Sequence, residues 1–203
     1  MRPPMAEDVR PTAFIDSDSE EVRGFLQRVA GDTRDEHEVV ARLFAAVRDG
    51  IRYDPYNVSG DPDDYRASNI LRSDSGYCVQ KSVALTAAAR AAGIPSRLGF
   101  ADVKNHLQSE RLREAMGTDL FIWHGYSTFF VSGRWTKASC AFNTELCERF
   151  GVAPLDFDGT HDALLHPYSG DGSQYMEYVT DRGTYADLPL EEMLADLRDT
   201  YGS

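Results

Sequence analysis

The sequence predicts an α+β domain, and three observations predict it. Helix-periodic segments fill the first half, while strand-like apolar runs fill most of the second. Gly and Pro punctuate the boundaries between them. The chain has 203 residues, 42% of them hydrophobic and 27% charged, enough for one ordinary core. No repeat, low-complexity tract or internal linker divides it.

Residues 1–18 are rich in Pro, Asp and Ser with few apolar anchors, and read as a loosely held arm. Residues 19–203 read as a single domain. In "SEEVRGFLQRVAG", Val22, Phe25, Leu26 and Val29 stand at helical spacing and Gly31 stops the helix. Thr33 and Glu36 form a capping-box pattern ahead of Val39, Val40, Leu43, Phe44 and Val47, with Gly50 as the stop. Residues 54–76 carry almost no periodicity and read as a long surface loop, a type that in compact domains tends to be functional. The Ala-rich segment from Cys78 to Ala92 has strong helix propensity and ends in "AGIP". Next, "SRLGFADV" reads as a strand and "SERLREAMG" as a short helix. "LFIWHGYSTFFV" and "RWTKASCAF" form a hairpin turning at Ser132-Gly133. "QYMEYVTDRGTYADLP" supplies a further strand or two, and "LEEMLADLRDTYG" a terminal helix.

The net charge of −12 disfavours a phosphate-binding face, so nucleic acid is not an expected partner. The first residues hold no apolar segment of secretory type, and no 18-residue apolar run follows, which points to a cytoplasmic protein without a membrane partner. Three cysteines without a framework pattern are best treated as thiols.

Cys78 falls in the first turn of the Ala-rich helix. Partial positive charge and open N–H groups at a helix start favour a thiolate and can later hold an oxyanion. Gly76 allows a tight turn and close approach of a substrate. The competing reading is a small apolar residue heading a buried helix. Among the five histidines, His37, His106, His124, His161 and His166, only His124 lies in an apolar aromatic strand. There it is partly buried and held in one orientation, as a base for a thiol must be.

Together these segments resemble the transglutaminase-like superfamily, whose members share a papain-type Cys-His-Asp core. "IRYDPY" is followed by "GYCVQKSVALTAAARAAGIPSRLGF", similar to the family's Gly-x-Cys helix with its terminal Arg-Ala-x-Gly-Ile-Pro-x-Arg. In "HGYSTFFVSGRW", His124 leads through a Gly turn to Trp135 eleven positions on, as in that family. The resemblance covers roughly residues 35–145 and implies a transglutaminase-like (papain-type) core, N-terminal helices packed on an antiparallel sheet. It makes Cys78 the nucleophile and His124 the base.

The family's third residue is an Asp four positions after the Trp, and here that slot holds Ser139. A serine can orient an imidazole but cannot stabilise its cation as a carboxylate does. Asn143, Asp156 and Asp158 are alternative third members. Tyr126 is a candidate cleft residue, Tyr77 and Gln80 candidate oxyanion donors. Asp102, Asn105 and His106 could border the cleft, and Lys104 or Arg111 could bind a substrate carboxylate. Cys140 and Cys147 lack zinc spacing, His161 and His166 stand five apart, and the acidic loop "SGDPDDY" lacks an EF-hand pattern, so no metal and no cofactor are expected.

The implied function is a thiol enzyme acting on an amide or thioester carbonyl through an acyl-enzyme. Its partner would be a peptide, protein or small-molecule acyl substrate, and water or an amine would take the acyl group. The alternatives are a degenerate binding scaffold and a thiol enzyme of small-metabolite biosynthesis.

Overall fold

The computed structural model describes residues 2–106, 110–164 and 176–202. Helix α1 (Glu20–Ala30) is capped by Ser19, whose Oγ accepts the Val22 N–H. Helix α2 (Glu36–Gly50) buries the predicted stripe of Val39, Val40, Leu43, Phe44 and Val47. Its cap differs from the expected Thr33–Glu36 box. The Asp35 carboxylate accepts the N–H groups of His37 and Glu38, and Thr33 donates its hydroxyl to Glu38 instead. A charged acceptor next to the first turn outcompetes a hydroxyl two residues further away.

Strand β1 (Arg52–Tyr53) pairs in parallel with β2 (Ser75–Gly76), closing the long loop at its base. The loop contains a 3₁₀ turn (Pro62–Tyr65) and helix α3 (Ala67–Ile70), and it is pinned by fully buried Tyr65 and Ala67 and by Ile70. Helix α4 (Cys78–Ala91) is buried along nearly its whole length, as an Ala-rich helix without a polar face must be. Gly93, at φ 80°, terminates it in the left-handed conformation that lacks a Cβ penalty.

Strand β3 (Ser96–Asn105), helix α5 (Glu110–Met116), β4 (Leu120–Val131) and β5 (Arg134–Ala138) follow. Next come α6 (Thr144–Phe150), which the sequence pattern did not reveal, β6 (Met176–Tyr185) and α7 (Leu190–Tyr201). The four long strands form an antiparallel sheet in the order β5-β4-β3-β6. Ser132 (φ 50°) and Gly133 (φ 82°) make the predicted β4–β5 turn, with both central residues left-handed as tight hairpins require. Helix α4 lies against β4 and β3, with α1, α2 and α3 packed around it, so the fold is α+β with the core between that helix and the sheet.

The arm is held more firmly than its composition suggests. Asp8 and Ile15 are fully buried, Arg97 pairs with Asp8 at 2.7 Å, and the Trp135 indole donates to the Arg2 carbonyl at 2.7 Å. Arg90, near the end of α4, donates to the carbonyls of Arg10 (2.9 Å), Ser96 (2.8 Å) and Ala186 (2.7 Å). The arm is ordered by these polar contacts together with Phe14 and Ile15, which pack on the core.

Candidate active site

Cys78 is the first residue of α4, and the preceding Tyr77 adopts extended backbone (φ −95°, ψ 179°). No side chain of the N-cap residue covers the helix start. Gln80 Oε1 accepts the Tyr77 N–H at 3.2 Å and its Nε2 donates to the Asp64 carbonyl at 3.0 Å. Gln80 therefore ties the long loop to the head of the helix. Tyr77 points its hydroxyl at that of Tyr65, 3.2 Å away. Cys78 is only 8% exposed. Burial pushes its thiol up to about 11, and the N–H groups of Gly125, Val79 and Cys78 itself pull it part of the way back down. The helix start alone would favour a thiolate, but loss of solvent outweighs it.

Gly125 explains how strand β4 comes so close. A Cβ there would lie 2.9 Å from the Val79 Cα and 3.2 Å from the Cys78 carbonyl oxygen, so only glycine lets the strand rest on the first turn of α4. His124, its neighbour, is 4% exposed, and burial pushes its imidazole down to about 4. The ring Nε2 stands 3.3 Å from Ser139 Oγ, just beyond the end of β5. That leaves Nδ1 as the other proton-carrying position. Burial thus disfavours the charged form of both groups.

A β-bulge sets the direction of His124. Ala101 pairs with His124 and Val103 with Phe121, so Asp102 alone faces both Ile122 and Trp123. Trp123 sits at φ 58°, a conformation uncommon for a bulky aromatic residue. Several contacts hold it there. Asp102 Oδ1 accepts its backbone N–H (3.1 Å), Asp196 Oδ2 accepts its indole N–H (2.8 Å), and the Arg182 guanidinium lies 4.6 Å from the ring centroid. Arg182 also bridges Asp102 and Asp196 at 2.5 and 2.7 Å. Because of the bulge, four consecutive residues from Phe121 to His124 line one cavity, which strict alternation along a strand forbids.

That cavity measures about 560 Å³ and contains both Cys78 and His124 in its wall. The remaining wall comes from the loop after β1, the end of β3, α5, Phe142, Met176 and α7.

Of the other sequence candidates, Asn105 lines the cavity, whereas Tyr126 packs across Gly99 in a smaller apolar cluster with Ala101 and Val103. Asn143 heads α6 and its Oδ1 accepts the Tyr53 N–H at 3.2 Å. Asp156 pairs with Arg48 at 3.0 Å. Asp158 is held ionised by the N–H groups of Thr160 and His161 on an exposed loop. His106 lies 3.2 Å from Glu177, and Arg111 sits over the Tyr56 ring. His161 is exposed beside Thr160, and His166 lies outside the described residues. Among the described residues no cluster of His, Cys, Asp and Glu could hold a metal ion. Cys140 and Cys147 are buried free thiols.

One residue escaped sequence reasoning altogether. Lys81, one turn beyond Cys78, is fully buried and donates to the carbonyls of Arg48 (2.8 Å) and Ile51 (2.7 Å), the last turn of α2. Burial pushes it down to about 8. A lysine in an Ala-rich helix was the available signal.

A thiol at a helix start and an imidazole on a neighbouring strand thus share one cavity wall, with a hydroxyl behind the imidazole. Residues 23–140, more than half of the chain, match the family model of the transglutaminase-like superfamily, and the protein belongs to that superfamily. No curated protein matches it. Among solved structures it resembles a provisionally named cysteine protease from Cytophaga hutchinsonii, with TM-score 0.53 and 14% identity. That alignment covers 89% of this chain and 46% of the other, so this chain spans less than half of that protein. It also resembles the arylamine N-acetyltransferase of Mycobacterium abscessus, with TM-score 0.51, 15% identity and coverage of 94% and 73%. At these identities the likeness establishes the fold, that of cysteine-based enzymes. No helix among the described residues is long and apolar enough to cross a membrane.

Proposed function

We propose that the protein is an acyl-transfer enzyme working through a thioester on Cys78. The observation that carries this reading is the shared cavity wall: Cys78 and His124 face one cavity, with Ser139 3.3 Å behind the imidazole and the Gly125 N–H on the thiol.

With the thiol near 11 and the imidazole near 4, no ion pair stands preformed. Proton transfer from Sγ to His124 therefore accompanies attack on the carbonyl carbon. As the Sγ–C bond forms, the carbonyl oxygen takes up negative charge beside the N–H groups at the helix start. Collapse breaks the bond to the leaving group, which departs with the proton from His124. Water or an amine then attacks the thioester and regenerates the thiol. Ser139 orients the ring but offers no negative charge, so the imidazolium is less stabilised than beside a carboxylate. One neighbour is provisionally named a cysteine protease and the other an N-acetyltransferase, and the fold is compatible with water or an amine as acceptor. Three free cysteines suit a reducing compartment such as the cytoplasm.

The test is intact-protein mass spectrometry after exposure to acyl thioesters and activated amides. The expected result is a single acyl adduct on Cys78, absent in Cys78→Ala and slowed at least a hundredfold in His124→Ala. Equal labelling of the His124→Ala protein, or no adduct from any donor, would favour a binding scaffold that keeps the fold without the chemistry.

A further inference from the structure

We propose that the acyl group this site accepts is apolar, an alkyl or aryl acyl group of about eight carbons, rather than a glutaminyl side chain on a peptide. The inference rests on the reading of Cys78 as nucleophile and adds the substrate class.

Cys78 and His124 are 8% and 4% exposed, so a reacting carbonyl reaches them only by filling the cavity. The acyl group is also the part of the substrate that stays bound to Sγ while leaving group and acceptor exchange. The walls around Cys78 are therefore its cradle.

Among the described residues those walls are mostly carbon, with Ser59 and Asn105 as polar exceptions. Leu112, Met116, Phe121, Met193 and Leu197 converge on the cavity from three elements. Two of the phenol hydroxyls among them are already engaged. The Tyr77 hydroxyl donates to Tyr65, while the Tyr201 hydroxyl accepts the Ile122 N–H (2.8 Å) and donates to the Leu120 carbonyl (2.9 Å). A peptide backbone placed here would lose water and find few partners, at a cost that apolar atoms do not incur. Among the described lining residues no carboxylate awaits an ammonium group, and the lone charge is the exposed Arg198. Tyr56 and Val58, 52% and 47% exposed, also line the cavity and extend its apolar surface toward solvent. A cavity of about 560 Å³ accommodates a chain of this size.

The experiment measures binding of butanamide, hexanamide and octanamide to the Cys78→Ala protein by calorimetry, so that no chemistry is needed. Affinity should rise about threefold per methylene, on the order of a hundredfold from four carbons to eight. In Leu197→Asp this dependence should collapse, and in Val58→Asp, a solvent-exposed position that cannot act by unfolding the core, it should weaken for octanamide only. Equal affinities across the series, or tighter binding of an N-acylated glutamine dipeptide, would overturn the proposal. Acetyl and octanoyl thioesters offered to the unmodified enzyme separate this outcome from failure of the mechanism. Equal acylation of Cys78 by both, with flat amide affinities, removes the apolar cradle and keeps the thiol enzyme. A steep amide series without any adduct keeps the cradle and removes the enzyme.

Discussion

The two ends of α4 carry residues of the same family motif and are built on opposite principles. At its start, Cys78 heads a turn whose N–H groups face an apolar cavity, and the strand above it approaches through a glycine. At its end, Arg90 is 3% exposed and its guanidinium is closed off by carbonyls from three segments, two of them distant in sequence. One end opens onto a cavity and the other is closed by the chain itself. Motif residues can therefore be sorted by whether their polar atoms are already occupied.

The comparison can be broken by substitutions at each end, and the largest effect is expected at the closed one. Arg90→Met removes the buried cation and strands carbonyls of Arg10, Ser96 and Ala186, and should lower unfolding stability by about 3 kcal/mol or more. Urea melts measure this, and acylation of Cys78 in the surviving folded protein should stay within a few-fold of normal. A comparable loss of acylation would mean the ends are not separable. Gly125→Ala should do the reverse. Its Cβ meets backbone at 2.9 Å, moving β4 off the thiol, and should reduce the acylation rate about a hundredfold with a smaller loss of stability. Asp102→Asn keeps the shape of the bulge support but weakens its charge-assisted bond to Arg182. It should lower acylation roughly tenfold, and the fluorescence of Trp123 should report the altered indole environment. Ser139→Ala removes one neutral hydrogen bond and should cost about five- to tenfold in the same assay.

A further effect concerns pH. His124 is depressed from 6.5 to about 4, so between those values the unfolded chain binds a proton that the folded protein refuses. Stability should accordingly decline as pH falls from 6.5 toward 4, and the slope should be shallower in His124→Gln. The acid limb of the acylation rate should lie near 4 to 5, because the base is already neutral there. An acid limb at 6.5 would show that the imidazole is solvated in the working enzyme.

Much of the frame was legible from local pattern. The Ala-rich helix with Cys78 in its first turn, the hairpin at Ser132-Gly133 and the strand carrying His124 all follow from propensity and turn chemistry that act within a few residues. The position of Ser139 behind His124 followed from family spacing, which encodes the hairpin register. What escaped depends on contacts between distant segments. The Asp102–Trp123 bulge is a property of two strands together, and Gly125 is required only because Val79 lies above it. The lowered acidity of Cys78 could not be foreseen, since helix position predicts the opposite sign and burial decides. Nor does the arm's order show fully in its hydropathy, because Asp8 and the Arg10 carbonyl share the anchoring with Phe14 and Ile15.

Arg90 reaches 80 residues back to the arm and 96 forward to the segment before α7. Neither segment can detach without exposing an unsatisfied guanidinium in a dry interior. The two should therefore share one opening event with the centre of α4, rather than fraying independently as peripheral segments commonly do. Amide hydrogen exchange would register that as matching protection free energies at Ile15, Ala87 and Leu188, three sites that no local pattern connects.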